Sequence, residues 1–482
     1  MPHSERVAGS HALYLHLEET GLAMHSGGLA IFDAKPFTRD DGAVDIERIQ
    51  PVLEQFLVTL PHARQRLRYV PFEQHPVWID DDRFQLAYHI RHTRLPRPGT
   101  VRQLKRLCGR LMSESLDRHK PLWEAWIIEG LEGARIAIMV KVHPGVLEPV
   151  RLPELFARIG EYAASKQRGT HSAFRPRKAP APAQMMADSL VHWAGEARAA
   201  FETSQTALRS PLDSLRALAD NTGAIGRAVT DMVRVARQPM LNPRSIGAHR
   251  RVETLHLPER EVASVAERLG VEILDVCLAA LGGGLGRFLT HHAEKAEGDA
   301  LHLLISLPSA PAHGDGPATP RSLRLMLPIG EMPPPRRAGE VARAHADARS
   351  APELAGFELL ERMEQRTPAI VQRAVAYAAA RRGTANLIVH FVEGSRKPIP
   401  VLETTVQSVT SFAPLFVDQA LCVSIVRACG LLSWGLTSDW DLLPELHELV
   451  EAIDTAYVEL RDAALRDAPA AVGPASEQGR TA

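Results

Sequence analysis

Cysteine is scarce in this chain: Cys108, Cys277, Cys422 and Cys429 are its four copies in 482 residues, and none belongs to a C-x-x-C pair. Each lies in an apolar stretch, which suits a reduced thiol used as a small core side chain and excludes a disulfide-built scaffold. A cytoplasmic protein is expected. A dominant charge is missing too: 56 Lys and Arg stand against 57 Asp and Glu, so no global field points to nucleic acid or an anionic membrane. No run of about 18 uncharged apolar residues appears, so no transmembrane helix is expected. Peripheral contact with a membrane or lipid droplet stays open. Residues 11–19 carry charges and lack the apolar core of a signal peptide. There is no repeat at a solenoid period.

Several chemistries lack their minimal pattern. The histidine groupings His89 with His92, His11 with His16, and His291 with His292 have no converging carboxylate or cysteine, so no metal site is expected. The run Gly282-Gly283-Gly284-Leu285-Gly286 sits inside an apolar helical stretch rather than after a strand, which argues helix packing and not a phosphate loop. Ser306 and Ser424 lack a nucleophile-elbow context, which excludes a serine hydrolase of that type.

What is present is enough apolar residue, 45%, for two cores, and the length suggests two domains. Residues 1–165 alternate strand and helix patterns: an apolar strand at 27–32, helices at 46–60 and 100–116 with Thr100 as N-cap, neighbouring strands at 123–129 and 135–141, and a helix at 152–165. Residues 166–182 are rich in Pro, Arg, Lys and Ala and read as a linker. Helices bridging the domains follow up to about 240, with an apolar stripe of Met185, Met186, Leu190 and Trp193. The alternation resumes over 241–466, with strands at 252–257, 301–307, 323–328, 386–392, 421–428 and 431–436, and helices at 259–269, 271–289 and 446–465. Residues 467–482 read as a disordered tail. The class is α/β with two lobes.

One segment carries chemistry. An apolar run ends at Lys141-Val142-His143, a Pro144-Gly145 bend follows, and Glu148-Pro149 come next. Before it lies Asp117-Arg118-His119-Lys120-Pro121-Leu122-Trp123-Glu124. Together these resemble the bacterial wax ester synthase/diacylglycerol acyltransferase family, in which a PLWE-type segment and a strand lead into His-His-x-x-x-Asp-Gly. Further landmarks occur in order along nearly the whole chain: Trp78 to Ile90, Leu95-Pro96-Arg97-Pro98-Gly99, Leu241 to Gly247, and Ser433 to Asp439.

The resemblance implies a two-lobed CoA-dependent acyltransferase fold, chloramphenicol acetyltransferase-like, with a central tunnel. It implies an acyl-CoA substrate, a hydroxyl acceptor such as a long-chain alcohol or diacylglycerol, and no permanently bound cofactor. In the family the motif's second histidine takes the acceptor's proton, which needs an imidazole. Here His143 matches the first histidine, Pro144 stands where the base belongs, Glu148 replaces the aspartate and Pro149 the glycine. Proline cannot accept a proton. His143 is the candidate substitute base, Glu148 the candidate brace of the turn, and Asp275, His390 and Gly394 the candidate tunnel-lining residues. Two outcomes stay open: an O-acyltransferase of reduced or altered activity, or a non-catalytic paralogue that binds acyl-CoA or lipid, or partners an active relative.

Overall fold

The structure, a computed structural model, describes residues 4–7, 9–19, 21–40, 44–57, 62–147, 151–164, 175–209, 238–292, 299–307, 321–350, 385–401 and 404–466. The expected tail at 467–482, most of the linker, and Glu148 with Pro149 lie outside these residues.

In the first half β1 (Glu5–Arg6), α1 (Gly9–Glu18), β2 (Ser26–Asp33), α2 (Ile46–Leu57), β3 (Gln65–Tyr69), β4 (Pro76–Asp80) and β5 (Ile90–Arg94) precede α3 (Val101–Ser113). Thr100 caps α3 through a full capping box with Gln103. The hairpin β6 (Trp123–Leu131) and β7 (Arg135–Val142) follows, then α4 (Leu152–Ala164) and α5 (Pro182–Arg209). The second half holds β8 (Arg250–Pro258), α6 (Glu259–Leu269), α7 (Ile273–His291), β9 (Ala300–Leu307), β10 (Arg321–Pro328), α8 (Pro334–Ser350), β11 (Leu387–Glu393), β12 (Pro400–Val401), β13 (Thr404–Phe412), β14 (Leu421–Ala428), β15 (Leu431–Asp439) and α9 (Leu446–Arg466).

Two six-stranded sheets organise the molecule, in the orders β12-β13-β2-β7-β6-β5 and β10-β9-β11-β14-β15-β8, with a small sheet β1-β4-β3 beside the first. The first sheet packs on both faces: Leu29, Ile31 and Met139 meet α3, while Ala30, Val140 and Val409 meet the α4 side. The second sheet buries one face against α6 to α9, with Leu303, Val389, Val423 and Trp434 from the strands and Leu278, Leu281 and Ile453 from the helices. Burying both faces or one whole face of such sheets is the main source of stability.

The lobes are not sequential blocks. β12 and β13 come from the second half yet pair into the first sheet, β13 lying antiparallel to β2. Residues 241–466 therefore build the second lobe and also lend two strands to the first. Where the lobes meet, Gly435 has no room for a side chain, because an added Cβ would stand 2.0 Å from the Ser411 carbonyl oxygen on β13. The Leu95-Pro96-Arg97-Pro98-Gly99 loop is similarly tight: Gly99 has φ +77° and a Cβ there would lie 1.8 Å from the Gly130 oxygen.

Among the described residues one helix, α7, is long and apolar enough to cross a membrane, which the absence of long apolar runs had not led us to expect. It is largely buried as the central helix of the second lobe, as glycines at Gly282, Gly283, Gly284 and Gly286 permit by close packing on Pro328, Ala456, Ile453 and Ile329. The stripe on α5 divides. Met185 packs on Val70, Val77 and Ile79, and the Trp193 Nε1–H donates to Glu73 at 3.1 Å, whereas Leu190 is exposed. In the linker Arg177 is tied to Asp80 by its side chain and its backbone, at 2.9 to 3.0 Å, and this holds the Asp80 carboxyl far below its usual range.

Candidate active site

β7 is buried from Ile136 onward, and its last residue, Val142, pairs with Ser26 of β2 on one side and Trp123 of β6 on the other. His143 extends the ladder by one step, its N–H donating to the Leu122 oxygen at 3.0 Å. Pro144 and Gly145 then turn the chain, and the His143 carbonyl accepts from Val146 and Leu147 at 2.8 and 3.2 Å.

The imidazole of His143 is completely enclosed. The Gly145 N–H donates to its Nδ1 at 2.9 Å, so that nitrogen is an acceptor and the neutral ring carries its proton on Nε2. Nε2 lies 3.8 Å from Glu18 Oε1. Burial, with the charges of Arg118 and His11, pushes the His143 pKa down to about 3. Glu18 is clamped by Arg118, whose Nε and Nη2 donate to one carboxylate oxygen at 3.2 and 2.9 Å, while the Met24 N–H donates to the other at 3.1 Å. Burial raises the Glu18 pKa and Arg118 opposes it. His143 thus has Nδ1 bonded and Nε2 buried without a hydrogen-bond partner, and it lines neither of the two cavities described.

Two further groups stand beside it. Lys141 is fully enclosed; its Nζ donates to the Leu111 and Glu114 oxygens at 3.2 and 2.9 Å and lies 3.5 Å from the carboxylate of Glu124, its partner across β6. Burial lowers its pKa and Glu124 pulls it back up. His25 lies one step past the Ser26–Val142 pair on β2, as His143 does on β7. Its Nε2 is 2.9 Å from the Met112 oxygen, an acceptor only, so Nε2 carries the proton and Nδ1 the lone pair. That Nδ1 is buried and has no partner. Burial, then the charge of Lys141, holds the His25 pKa well below the usual histidine value.

The face of the second sheet turned away from its helices carries a polar row. Ser322, Ser306, His390, Ser424, Gly435 and Thr254 are in register across all six strands from β10 to β8. Both ring nitrogens of His390 and the Ser424 hydroxyl are buried without partners. Burial pushes the His390 pKa down to about 4. The same face of β11 packs Ile388 on Ala413 and Leu415, and Val392 into the first lobe's core, so His390 lies at the junction of the lobes.

Residues 7–277 match the wax ester synthase/diacylglycerol acyltransferase catalytic domain, and residues 322–461 match the C-terminal domain of the same family. The chain belongs to the wax ester synthase/diacylglycerol acyltransferase family. Two Mycobacterium tuberculosis proteins named as candidate diacylglycerol O-acyltransferases are 28% identical over 480 residues (95% of this chain, 90% of the relative) and 25% identical over 435 residues (87% and 88%). The fold is that of the wax ester synthase/diacylglycerol acyltransferase from Marinobacter aquaeolei VT8, with TM-score 0.65 at 20% identity over 95% of this chain and 99% of that one. It is shared with the first condensation domain of the calcium-dependent antibiotic synthetase, with TM-score 0.58 at 14% identity over 97% and 99%.

Within this wax ester synthase/diacylglycerol acyltransferase frame the expected site residues part company. His390 is at the lobe junction, beside Ser424 and Ser306. Asp275 is elsewhere: it sits in the helical layer behind the second sheet, caps α7 through Glu272, and bonds His345 Nδ1 at 2.7 Å. Gly394 follows β11, its N–H bound to the Arg427 oxygen at 2.9 Å, and a Cβ there would meet Ala428 and Pro153. Nothing in the local sequence pattern marks His25, and Ser306 and Ser424 stand out there only as hydroxyls without a nucleophile elbow.

Proposed function

We propose that this chain takes an acyl-CoA and a hydroxyl lipid, a long-chain alcohol or a diacylglycerol, between its lobes and transfers the acyl group slowly, with His25 in place of the lost motif base. The acceptor oxygen attacks the thioester carbonyl and its proton passes to His25 Nδ1. The C–S bond then breaks, and the proton returns to the CoA thiolate to give ester and free CoA. The observation that carries this reading is the contrast at the turn. His143 has no lone pair to offer, because Gly145 occupies Nδ1 and Nε2 bears the proton, whereas His25 is pinned through Nε2–H and keeps Nδ1 unpaired, though buried. Family membership and the relatives' names support the reaction class.

The rate is expected to be low. A well-placed general base supplies roughly 10²- to 10⁴-fold, and an imidazole as weakly basic as His25 recovers part of that. Positioning the two substrates supplies the rest. No permanently bound cofactor is needed. The exposed Phe72, Leu190 and Val191 support contact with the lipid surface where such acceptors reside.

The test is CoA release from palmitoyl-CoA with hexadecanol or a diacylglycerol. Slow release that rises about 10²-fold or more in the triple variant Pro144→His, Glu148→Asp, Pro149→Gly is expected. A second reading, a non-catalytic binder of acyl-CoA, is favoured by the complete enclosure of His25. It prevails if palmitoyl-CoA binds and no CoA is released above the uncatalysed rate.

A further inference from the structure

We propose that the cleft between α3 and β8 is an anion site for a phosphomonoester or diphosphate group. The cleft encloses about 540 Å³, with α3 of the first lobe on one side and β8, Trp440 and His447 of the second on the other. Arg102, Lys105 and Arg106 line it from α3, and Arg250 and Arg251 from β8. Against these five cations stands one carboxylate among the described lining residues, Glu253, which is already committed to Lys105. A chain with balanced charge overall has gathered a local excess here. Arg102 and Arg106 are exposed and four residues apart on one helix face, an arrangement that repels itself unless an anion lies between.

The built part of the site is Arg250. Its side chain is 2% exposed; Nη1 donates to the Gly247 oxygen at 2.6 Å and stands 4.0 Å from Asp439, but Nη2 has no partner. Arg251 Nε is also buried without a partner, and its guanidinium lies 4.2 Å from the centroid of the Trp440 ring. Buried guanidinium donors left unbonded are costly, and their planar fork matches phosphate oxygens. The wall is rigid: a Cβ at Gly109 would lie 2.9 Å from the Arg250 oxygen, and the Arg250 N–H donates to Ser113 at 2.8 Å.

Resting on the acyl-CoA reading, the phosphates of CoA are one source of such a group; a phosphorylated lipid headgroup is the other. The test is equilibrium binding to the full chain of CoA, inorganic pyrophosphate, S-palmitoyl-pantetheine (no phosphate) and a short-chain phosphatidic acid. The variants are the double Arg102→Gln/Arg106→Gln and the single Arg251→Gln, whose melting is checked against wild type. Charge-assisted contacts of this kind predict about 10-fold or greater weakening of CoA and pyrophosphate in the double variant, a shallower salt dependence, and unchanged binding of S-palmitoyl-pantetheine. If phosphatidic acid alone shows the arginine dependence, the phosphate site stands and CoA is rejected as its source. Equal affinity of wild type and both variants for every phosphate probe overturns the site. Arginine-dependent CoA binding without any CoA release keeps the site and removes the proposed transfer activity instead.

Discussion

His25 and His143 each stand one step beyond the Ser26–Val142 pair at the ends of β2 and β7, and their ring nitrogens are used in opposite ways. His143 accepts from the Gly145 N–H through Nδ1, while His25 is anchored to the Met112 oxygen through Nε2 and leaves Nδ1 without a partner. A general base needs a fixed ring with one free lone pair, which only the second arrangement supplies. His25→Gln is therefore expected to lower the slow CoA release at pH 7.5 by roughly 10-fold or more with KM for palmitoyl-CoA little changed. His143→Gln is expected to reduce folding stability more than the rate per folded molecule. Equal loss of rate in both variants, at matched folded fraction, would return the role to His143.

The frame around His143 makes a second prediction. Glu18 is shielded from water and depends on Arg118 for its charge. Replacing Arg118 by Met leaves a buried carboxylate uncompensated, which costs about 3–5 kcal/mol where the pair is well buried and somewhat less here because Arg118 keeps some exposure. The added change Glu18→Gln should recover much of the loss. Urea unfolding of the single and double variants checks this, and a double variant no better than the single would show that Arg118 matters through its bond to the Leu15 oxygen instead.

Much of the scaffold was legible because its periodicity is strong. β7 reads as an apolar run from Ile136 to Val140 because both its faces are covered, and Thr100 announces α3 through the capping box. β13 did not show itself. Thr404-Thr405-Val406-Gln407-Ser408-Val409-Thr410-Ser411-Phe412 mixes hydroxyl and apolar side chains, since the strand is wedged between two lobes rather than set in one core. His25 was invisible for a different reason. Its meaning depends on which residue lies opposite it, and strand register between distant segments is not written in local pattern. The polar row through His390 and Ser424 is likewise a product of register across six strands.

Acid should unfold this protein earlier than its balanced charge suggests. His143, His75 and His390 have folded pKa values pushed down to about 3, 4 and 4, foremost by burial. An unfolded histidine titrates near 6.5. Between pH 6.5 and about 4 the unfolded chain therefore takes up protons that the folded one refuses. Stability is full above 6.5 and falls as pH drops through that window, by about 1.4 kcal/mol per pH unit for each such histidine. Glu18, with its raised pKa, works in the opposite direction at the acidic end. His390→Leu removes one titrating group from an apolar setting, so its unfolding free energy, measured at pH 6.5, 5.5 and 4.5, should fall less steeply than that of wild type by about that slope. Parallel curves would mean that His390 is protonated in the folded state.

The closeness of the lobes can be tested at one atom. Gly435 on β15 lies so near β13 that an added Cβ would sit 2.0 Å from the Ser411 oxygen and 2.9 Å from Thr410 Cγ2. The first of these is backbone, paired opposite Gly28 in the other sheet, so no rotamer change relieves the clash. Gly435→Ala should therefore cost about 3 kcal/mol or more, the upper end of overpacking penalties, and should loosen β13 in hydrogen exchange before it loosens β11 or β14. Gly270→Ala is the control. That residue has φ +67° with nothing within 4 Å of its would-be Cβ, so it bears only the left-handed backbone strain, about 1 kcal/mol. Comparable losses in the two variants would mean that β13 and β15 can part at little expense.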